Sequence, residues 1–357
     1  MKTADFDYPL PTELIAQEPI EPRDAARMLV LWRQSGMIEH RCFLDLPRYL
    51  RAGDAIVLNR TRVIPARVWA RKLASGGKVE LLLLRRLSEC TWEALVRGRR
   101  VRPGSQLQIV SPSGNTDGPL AMVLAESDTG TRLIEFSQPP LGKTGCATEA
   151  WLQRYGETPL PPYIHQRLDD PERYQTVFSL IPGSVAAPTA GLHFTERTLA
   201  TMRELGVEIE YVTLHIGLDT FRPVQEEEVE QHTIHSEWCE ITADVCQRLA
   251  HAKAEGRRIV AVGTTVVRTL ETSALKAREE GAKGTFSPFS GETNLFITPG
   301  YQFAAVDILL TNFHLPRSTL LLLVSAFASR ELILRAYEEA VRCRYRFFSF
   351  GDCMLIL

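Results

Sequence analysis

The sequence predicts an α/β domain with an inserted antiparallel β-barrel domain. From about residue 195 onward, strand-like and helix-like segments alternate, which is typical of a parallel sheet covered by helices. Residues 62–137 instead contain short strand-like runs separated by turn sequences such as SGG, RPG and SPSGN, a pattern that favours a small antiparallel barrel. The 357-residue chain is also longer than one core usually supports. We therefore expect residues 1–60 and 158–357 to form the α/β domain and residues 61–157 to form the barrel.

Strand-like and helix-like runs can be placed along the α/β part of the chain. Thr195 and Thr242 are each positioned to cap a helix, and Gly206 and Gly256 follow as stop signals. Further helices are expected to begin at about residues 264, 318 and 330. The strand-like runs lie at 27–34, 54–61, 207–218, 257–263 and 304–313.

Composition narrows the function classes. The formal net charge is −2, so no overall field attracts the chain to nucleic acid or to a membrane. Seven cysteines without a CxxC pair indicate reduced thiols. The N-terminus has no apolar core of a secretory signal, and the longest apolar run, TLLLLVSAFA at 319–328, is about half a membrane span. We expect a cytoplasmic protein with no membrane segment.

Gly263, Thr264 and Thr265 lie between a predicted strand and a predicted helix. Free backbone N–H groups at such a junction favour an anion, and glycine lets a ligand approach closely. The alternative is that the threonines only cap the helix. Neither GxGxxG nor GxxxxGK[ST] follows a predicted strand, so the usual dinucleotide and P-loop sites are not indicated.

Histidines are concentrated in the C-terminal half. His193, His215 and His314 each lie near the end of a predicted strand or loop, where the ligand crevice of an open α/β sheet is found. Such residues are candidates for proton transfer near neutral pH. Each one alone is equally typical of a structural histidine.

The segment HTIHSE at 232–237 has three groups that zinc accepts, namely His232, His235 and Glu237. HxxH is a weaker signal than HExxH, and no further ligand is evident. We favour hydrogen bonding of His232 and Glu237 to a substrate and expect no metal. A plain surface turn is the remaining alternative.

The predicted barrel is locally basic. Residues 60–102 contain twelve lysines and arginines against three glutamates. A dense cluster in VRGRRVRP supplies Arg97, Arg99, Arg100 and Arg102. Such a field suits a phosphate backbone, although arginines also decorate many solvated sheets. The aromatic and basic tail RYRFFSFGD at 344–352 is suited to stacking an unpaired base or to packing in the core as a last strand.

Ten segments run in order along essentially the full chain: FDYPLPTELIAQEP, LNRTRVIPAR, GGKVELLLL, LPPYI, GSVAAPTAGLHFT, TLHIGLDTFRPV, HTIHSE, GTTVVRTLE, TNFHLPRSTLLLLVSAF and RFFSFGD. Taken together, these segments resemble the S-adenosylmethionine:tRNA ribosyltransferase-isomerase family of the queuosine pathway. The family loop usually reads HxGxGTF, and here Asp219 replaces the second glycine. Arg60 stands where the family more often has an acidic or polar residue.

The resemblance implies an activity and its partners. Such enzymes transfer and isomerise the ribosyl part of S-adenosylmethionine onto 7-aminomethyl-7-deazaguanine at the wobble position of tRNA. The products are epoxyqueuosine, adenine and methionine. The partners would be a tRNA anticodon stem-loop and S-adenosylmethionine, which is a co-substrate, so no cofactor is expected. The family fold is an α/β domain with an inserted barrel, and we expect a monomer.

Roles for individual residues follow from the resemblance. His193 or His215 would act as the base, the other would position or protonate, and His314 is a third candidate. In the uncharged segment AAPTAGLHFT at 186–195, Thr189 and Thr195 would bond the ligand and Gly191 would admit it. A tightly packed turn is the alternative there. Residues 263–265 would contact the methionine carboxylate or a tRNA phosphate, and the four clustered arginines would contact the tRNA backbone.

Two rival functions are weighed against this one. An S-adenosylmethionine-dependent RNA methyltransferase would need a glycine-rich first strand–helix turn, which the sequence lacks. An RNA-binding protein without chemistry would bind tRNA but leave S-adenosylmethionine intact.

Overall fold

The computed structural model describes residues 1–127, 130–137, 148–217, 223–282 and 284–357. Cys146 and Asp219 lie outside these residues. The predicted reduced thiol of Cys146 and the predicted replacement of a family glycine by Asp219 therefore lie outside the described part of the chain. The six cysteines within the described part of the chain are free thiols.

The described residues form two compact units. The larger unit comprises residues 1–62, 161–181 and 187–357, and the smaller unit comprises residues 63–160 and 182–186. The expected domain limits at residues 61 and 157 stay a prediction, because compactness alone does not show that a segment folds by itself. The predicted fold class is confirmed, since one unit is an α/β unit and the other contains a closed antiparallel barrel.

Eighteen strands are described, numbered in chain order. They are β1 (Arg27–Leu31), β2 (Ile38–Cys42), β3 (Ala55–Asn59), β4 (Thr61–Val63), β5 (Arg67–Lys72), β6 (Lys78–Arg86), β7 (Thr91–Arg97), β8 (Gln106–Val110), β9 (Leu120–Glu126), β10 (Arg132–Phe136), β11 (Gly156–Glu157), β12 (Ile181–Ser184), β13 (Glu208–Leu214), β14 (Glu237–Ile241), β15 (Ile259–Val262), β16 (Phe289–Thr293), β17 (Ile308–Asn312) and β18 (Cys353–Ile356).

Six α-helices are described, and one of the two predicted threonine caps makes its capping bond. They are α1 (Thr148–Tyr155), α2 (Glu196–Glu204), α3 (Ala243–Ala254), α4 (Thr264–Glu279), α5 (Thr319–Ala328) and α6 (Arg330–Arg342). Thr195 caps α2 by accepting a hydrogen bond from the Thr198 N–H, as predicted. Thr242 precedes α3, but its side chain makes no capping bond, so that part of the prediction is wrong. None of the described helices meets the length and hydropathy that crossing a membrane requires.

The larger unit is built on a nine-stranded mixed sheet in the order β16-β14-β13-β3-β15-β17-β18-β1-β2. Its centre, β13-β3-β15-β17, is parallel. Central strands read as unbroken apolar runs because both faces are covered, and every residue of β3 is buried. Side chains alternate between the faces, so that in β1 Leu29 packs in one core and Met28 in the other.

In the smaller unit, the strand order β5-β6-β7-β10-β9-β8 closes on itself through the pairing of β5 with β8. Along β6, Val79, Leu81 and Leu83 are buried while the residues between them are more exposed. This alternation fills the interior of a small barrel with side chains.

Candidate active site

A cavity in the larger unit lies at the carboxyl ends of two parallel strands. Gly263 follows β15, and Thr311 and Asn312 end its neighbour β17. Parallel strands present their carboxyl ends at one edge of a sheet, which is where ligands bind in open α/β folds. The cavity holds about 610 Å³ of space, part of it open to solvent. Its described lining is Tyr163, Ala187, Pro188, Thr189, Ala190, Ile216, Gly263, Thr264, Thr265, Thr311, Asn312, Phe313, His314, Leu315, Ser318, Leu320, Phe348 and Ser349.

The start of α4 forms one wall, as the sequence indicated. Gly263 has φ of +88°, a backbone conformation that favours glycine, and its N–H donates to the Leu310 carbonyl at 2.7 Å. Thr264 and Thr265 are each 7 % exposed. The Thr265 hydroxyl accepts a hydrogen bond from Asn59 Nδ2 at 3.2 Å. The Gly-Thr-Thr turn therefore faces the cavity.

His314 is the one histidine among the cavity-lining residues that the structure describes. Its Nε2 lies 3.0 Å from Thr311 Oγ1. Its backbone N–H donates to Tyr337 Oη at 3.0 Å, and its carbonyl accepts a hydrogen bond from the Tyr8 hydroxyl. Burial lowers the pKa of His314 to about 3. The imidazole is therefore neutral near pH 7, and the same burial makes it a weaker base than an ordinary histidine.

His193 does not line the cavity but contacts a residue that does. Its Nε2 lies 3.3 Å from Asn312 Oδ1, and Asn312 Nδ2 donates to the Phe348 carbonyl at 2.9 Å. Because the amide nitrogen faces that carbonyl, the amide oxygen must face His193, which assigns a proton to Nε2 and a free lone pair to Nδ1. Burial lowers the pKa of His193 to about 4, against the opposing effect of the Asn312 bond.

His215 lies one residue before the cavity residue Ile216 and is not itself in the lining. Its Nδ1 is 2.8 Å from Thr61 Oγ1, and its ring stacks on Trp238 with centroids 5.0 Å apart. Burial lowers the pKa of His215 to about 4. The structure thus brings His314 to the cavity directly, while His193 and His215 are held beside cavity residues.

The HTIHSE segment takes part in other contacts. His232 Nδ1 lies 2.8 Å from Glu226 Oε2. Glu237 forms a buried ion pair with Arg268 of α4, and its Oε1 accepts from the Gly217 N–H at 2.9 Å. Neither His232 nor Glu237 lines the cavity. His232, His235 and Glu237 do not form a metal-sized cluster, because within the described ranges only His40, Glu339 and Cys343 come that close.

The segment 186–195 divides between the cavity and the core. Thr189 lines the cavity together with Ala187, Pro188 and Ala190. Gly191 and Thr195 do not. A Cβ on Gly191 would meet the Phe178 ring at 2.8 Å, so packing alone accounts for this glycine. The Thr195 hydroxyl caps α2 and donates to Asp24 at 2.9 Å.

Several cavity residues were not singled out by sequence reasoning. They include Tyr163, Ile216, Thr311, Asn312, Ser318, Phe348 and Ser349. The motifs TNFHLPRSTL and RFFSFGD contain five of them, and attention to each polar residue in those motifs would have found Thr311, Asn312 and Ser349. The rings of Phe347, Phe348 and Phe350 are buried, so the tail packs in the core and its last strand begins only at Cys353.

The clustered arginines lie in the smaller unit. Arg97, Arg99, Arg100 and Arg102 are all exposed. None of the four has an ion-pair partner among the described residues, whereas Arg67 pairs with Glu80 at 3.4 Å. Unpaired surface charges of one sign keep their field available to an external polyanion.

Comparison with known proteins supplies the remaining findings. The family described as queuosine biosynthesis protein matches residues 3–356. Proteins named S-adenosylmethionine:tRNA ribosyltransferase-isomerase, from Symbiobacterium thermophilum and from Moorella thermoacetica, are each 53 % identical over 358 residues, covering 100 % of both chains. A crystal structure of S-adenosylmethionine tRNA ribosyltransferase from Thermotoga maritima is 40 % identical, with a TM-score of 0.54, and the match covers 99 % of this chain and 100 % of that one.

Proposed function

This chain belongs to the queuosine biosynthesis family and is a transferase that modifies tRNA. On this basis we propose the reaction that it catalyses. It transfers and isomerises the ribosyl moiety of S-adenosylmethionine onto 7-aminomethyl-7-deazaguanine at the wobble position of tRNA. Epoxyqueuosine, adenine and methionine are the products. The reaction takes place in the cytoplasm, and the chain acts as a monomer without a cofactor.

The observation that carries this proposal is the 53 % identity, over the whole chain, to relatives named for the transfer. The cavity adds a chemical argument. It offers hydroxyl, amide and imidazole groups among apolar walls, and such a mixture is typical of sites that bind and orient a small ligand.

The chemistry requires a base first. The positive sulfur of S-adenosylmethionine acidifies the adjacent C5′ protons, and removal of one starts the sequence. Adenine then leaves and takes up a proton, the amine of the modified base adds to the ribosyl carbons, and ring closure expels methionine. Burial keeps His314 neutral at pH 7, so that its lone pair is available, but a pKa of about 3 also makes it a weaker base than an ordinary histidine.

We keep His193, His215 and His314 as the proposed proton-transfer residues and place His314 first, because it lines the cavity. Thr189, Gly263, Thr264 and Thr265 are the proposed substrate contacts in the cavity wall. The sequence also predicts ligand contacts at four other residues, whose positions instead favour support of neighbouring segments: Gly191, Thr195, His232 and Glu237.

The exposed arginines at 97, 99, 100 and 102 are the proposed contacts for the tRNA backbone. Their side chains carry charge without an ion-pair partner in the described part of the chain. Contacts to phosphates would fix the position of the anticodon stem-loop without reading its sequence.

One incubation tests the reaction. The chain is mixed with S-adenosylmethionine and tRNA that carries 7-aminomethyl-7-deazaguanine, and the nucleosides and small products are analysed by mass spectrometry. We expect epoxyqueuosine with equal amounts of adenine and methionine. Formation of S-adenosylhomocysteine would instead identify a methyltransferase, and tRNA binding with no consumption of S-adenosylmethionine would identify an RNA-binding protein.

A further inference from the structure

The first turn of α4 has backbone donors that the protein leaves without acceptors. The first bond of this helix runs from the Val267 N–H to the Gly263 carbonyl at 3.3 Å. The N–H groups of Thr264, Thr265 and Val266 have no acceptor among the described residues. These three residues are 7 %, 7 % and 0 % exposed. A buried helix end in this state requires a partner from outside the chain.

Three other helices of the same unit carry a side-chain cap. The side chains of Thr195, Ser318 and Ser329 cap α2, α5 and α6, respectively. The N-cap of α4 is Gly263, which has no side chain to offer. The helix α3 also lacks a side-chain cap, but its first residues, Ala243 and Asp244, are exposed to solvent. The uncapped start of α4 is instead buried and lies in the lining of the cavity.

A second observation points to a ligand at the same place. Thr264 lines the cavity, is only 7 % exposed, and its hydroxyl has no hydrogen-bond partner among the described residues. The hydroxyl oxygen is not among the fully buried polar atoms that lack a partner, so it is open to the cavity and a ligand there can reach it. The hydroxyl and the backbone donors begin at the same residue, so one compact acceptor can serve both.

The charge of the cavity selects the kind of acceptor. The starts of two helices, α4 at Thr264 and α5 beside Ser318, belong to the lining, and helix N-termini carry partial positive charge. No Lys, Arg, Asp or Glu occurs among the lining residues that the structure describes. This environment suits one compact monoanion. A phosphodiester of a polynucleotide, which Lys and Arg ordinarily bind, suits it less.

We propose that the start of α4 binds the carboxylate of the amino-acid part of S-adenosylmethionine. The carboxylate accepts hydrogen bonds from the N–H groups of Thr264 and Thr265 and from the Thr264 hydroxyl. This subsite rests on the proposed function, which supplies the ligand. It fixes the methionyl end of the co-substrate at the α4 wall, in the same cavity as His314.

The test compares S-adenosylmethionine with its decarboxylated counterpart, which keeps the sulfonium, the amine and the adenosine. Calorimetry with the full chain measures both affinities for the unaltered protein and for Thr264→Val. We expect the unaltered protein to bind the decarboxylated compound about 10- to 100-fold more weakly, as loss of charged hydrogen bonds implies. Thr264→Val weakens binding of S-adenosylmethionine by about 3- to 10-fold and leaves binding of the decarboxylated compound within about twofold.

Two further variants make the result specific. Thr264→Ser keeps the hydroxyl and is expected to restore the affinity for S-adenosylmethionine. Thr201→Val removes an exposed hydroxyl on α2 that bonds only within its own helix, and neither affinity should change. If Thr264→Val does not fold, the affinities of the unaltered protein and of Thr264→Ser for the two ligands still test the carboxylate subsite.

The outcomes separate the subsite from the reaction. Equal affinity of the unaltered protein for both compounds overturns the carboxylate subsite while leaving the proposed function in place. Failure to bind or consume S-adenosylmethionine overturns the proposed function and the subsite with it. If Thr264→Val weakens binding of tRNA and not of S-adenosylmethionine, a phosphate occupies the site and the carboxylate assignment is wrong.

Discussion

Two buried tyrosines hold both backbone polar groups of His314, and removing either hydroxyl should reduce turnover. Tyr8 donates to the His314 carbonyl, and Tyr337 accepts from the His314 N–H at 3.0 Å. Tyr8→Phe or Tyr337→Phe leaves a buried backbone group unpaired, which costs about 1–3 kcal/mol of unfolding free energy. Displacement of a reacting group by one ångström can reduce the rate about 100-fold. Because loss of one hydroxyl should shift the His314 ring by only part of an ångström, we expect kcat to fall about tenfold in each variant.

The assay measures adenine release at saturating tRNA and varied S-adenosylmethionine, together with urea unfolding. We expect kcat to fall while KM for S-adenosylmethionine changes less than about twofold, because the tyrosines do not line the cavity. Tyr345→Phe is the matched control. Tyr345 is 1 % exposed and bonds the ring of His40 at 2.8 Å, so it loses a hydroxyl without affecting His314. Equal kcat in Tyr8→Phe, Tyr337→Phe and Tyr345→Phe would refute the positioning role.

Three other predictions follow from the structure. Arg97→Gln together with Arg100→Gln should weaken tRNA binding and reduce the slope of log affinity against log salt by about 1–2; an unchanged slope, measured by filter binding, would contradict the tRNA contacts. Unfolding free energy should fall as pH decreases from 7 to 5, because unfolded histidines bind protons near pH 6.5, whereas His193 and His314 have folded-state pKa values of about 4 and about 3. The slope from each histidine is small at pH 7 and approaches about 1.4 kcal/mol per pH unit below pH 6, so flat urea midpoints over this range would disprove their burial as neutral groups. Glu237→Gln leaves Arg268 charged and buried and should lower the unfolding free energy by about 3–5 kcal/mol. The control Glu255→Gln breaks exposed ion pairs and should lower it by less than about 1 kcal/mol. Equal losses for the two variants in urea unfolding would show that the buried pair stabilises the fold no more than the exposed pairs do.

Local sequence patterns predicted the architecture because they report on local physics. The alternation of apolar residues identified the strands and the helices of the larger unit, and the capping hydroxyl of Thr195 placed the start of α2 to the residue. The capping bond of Thr242 was predicted on the same grounds and is absent. A threonine before a helix shows where the helix can begin, while its side-chain rotamer depends on neighbours that the pattern does not contain.

The site was predicted in part, because a shared cavity depends on contacts between distant segments. Gly263 and Thr264 were found from a local strand–helix junction. Their proximity to Asn312 follows from the register of β15 on β17, in which Val262 lies opposite Leu310. Neither strand sequence alone predicts this register. The same is true of Tyr8, which is 306 positions away from the residue that it bonds.

The three histidines illustrate the limit most clearly. All three lie near strand or loop ends, so the sequence ranked them by motif alone. Burial and side-chain direction separate them in the structure, where His314 reaches the cavity and His193 contacts it through Asn312. Side-chain direction at a strand end changes with a shift of one residue, and sequence reasoning does not resolve boundaries that finely.

The most direct measurement is a crystal structure of this chain with S-adenosylmethionine bound. We predict that the ligand lies in the cavity at the ends of β15 and β17, with its carboxylate at Thr264 and its sulfonium and C5′ carbon toward His314. Electron density for the ligand at any other surface, with this cavity filled only by water, would show that the cavity is not the site of S-adenosylmethionine binding.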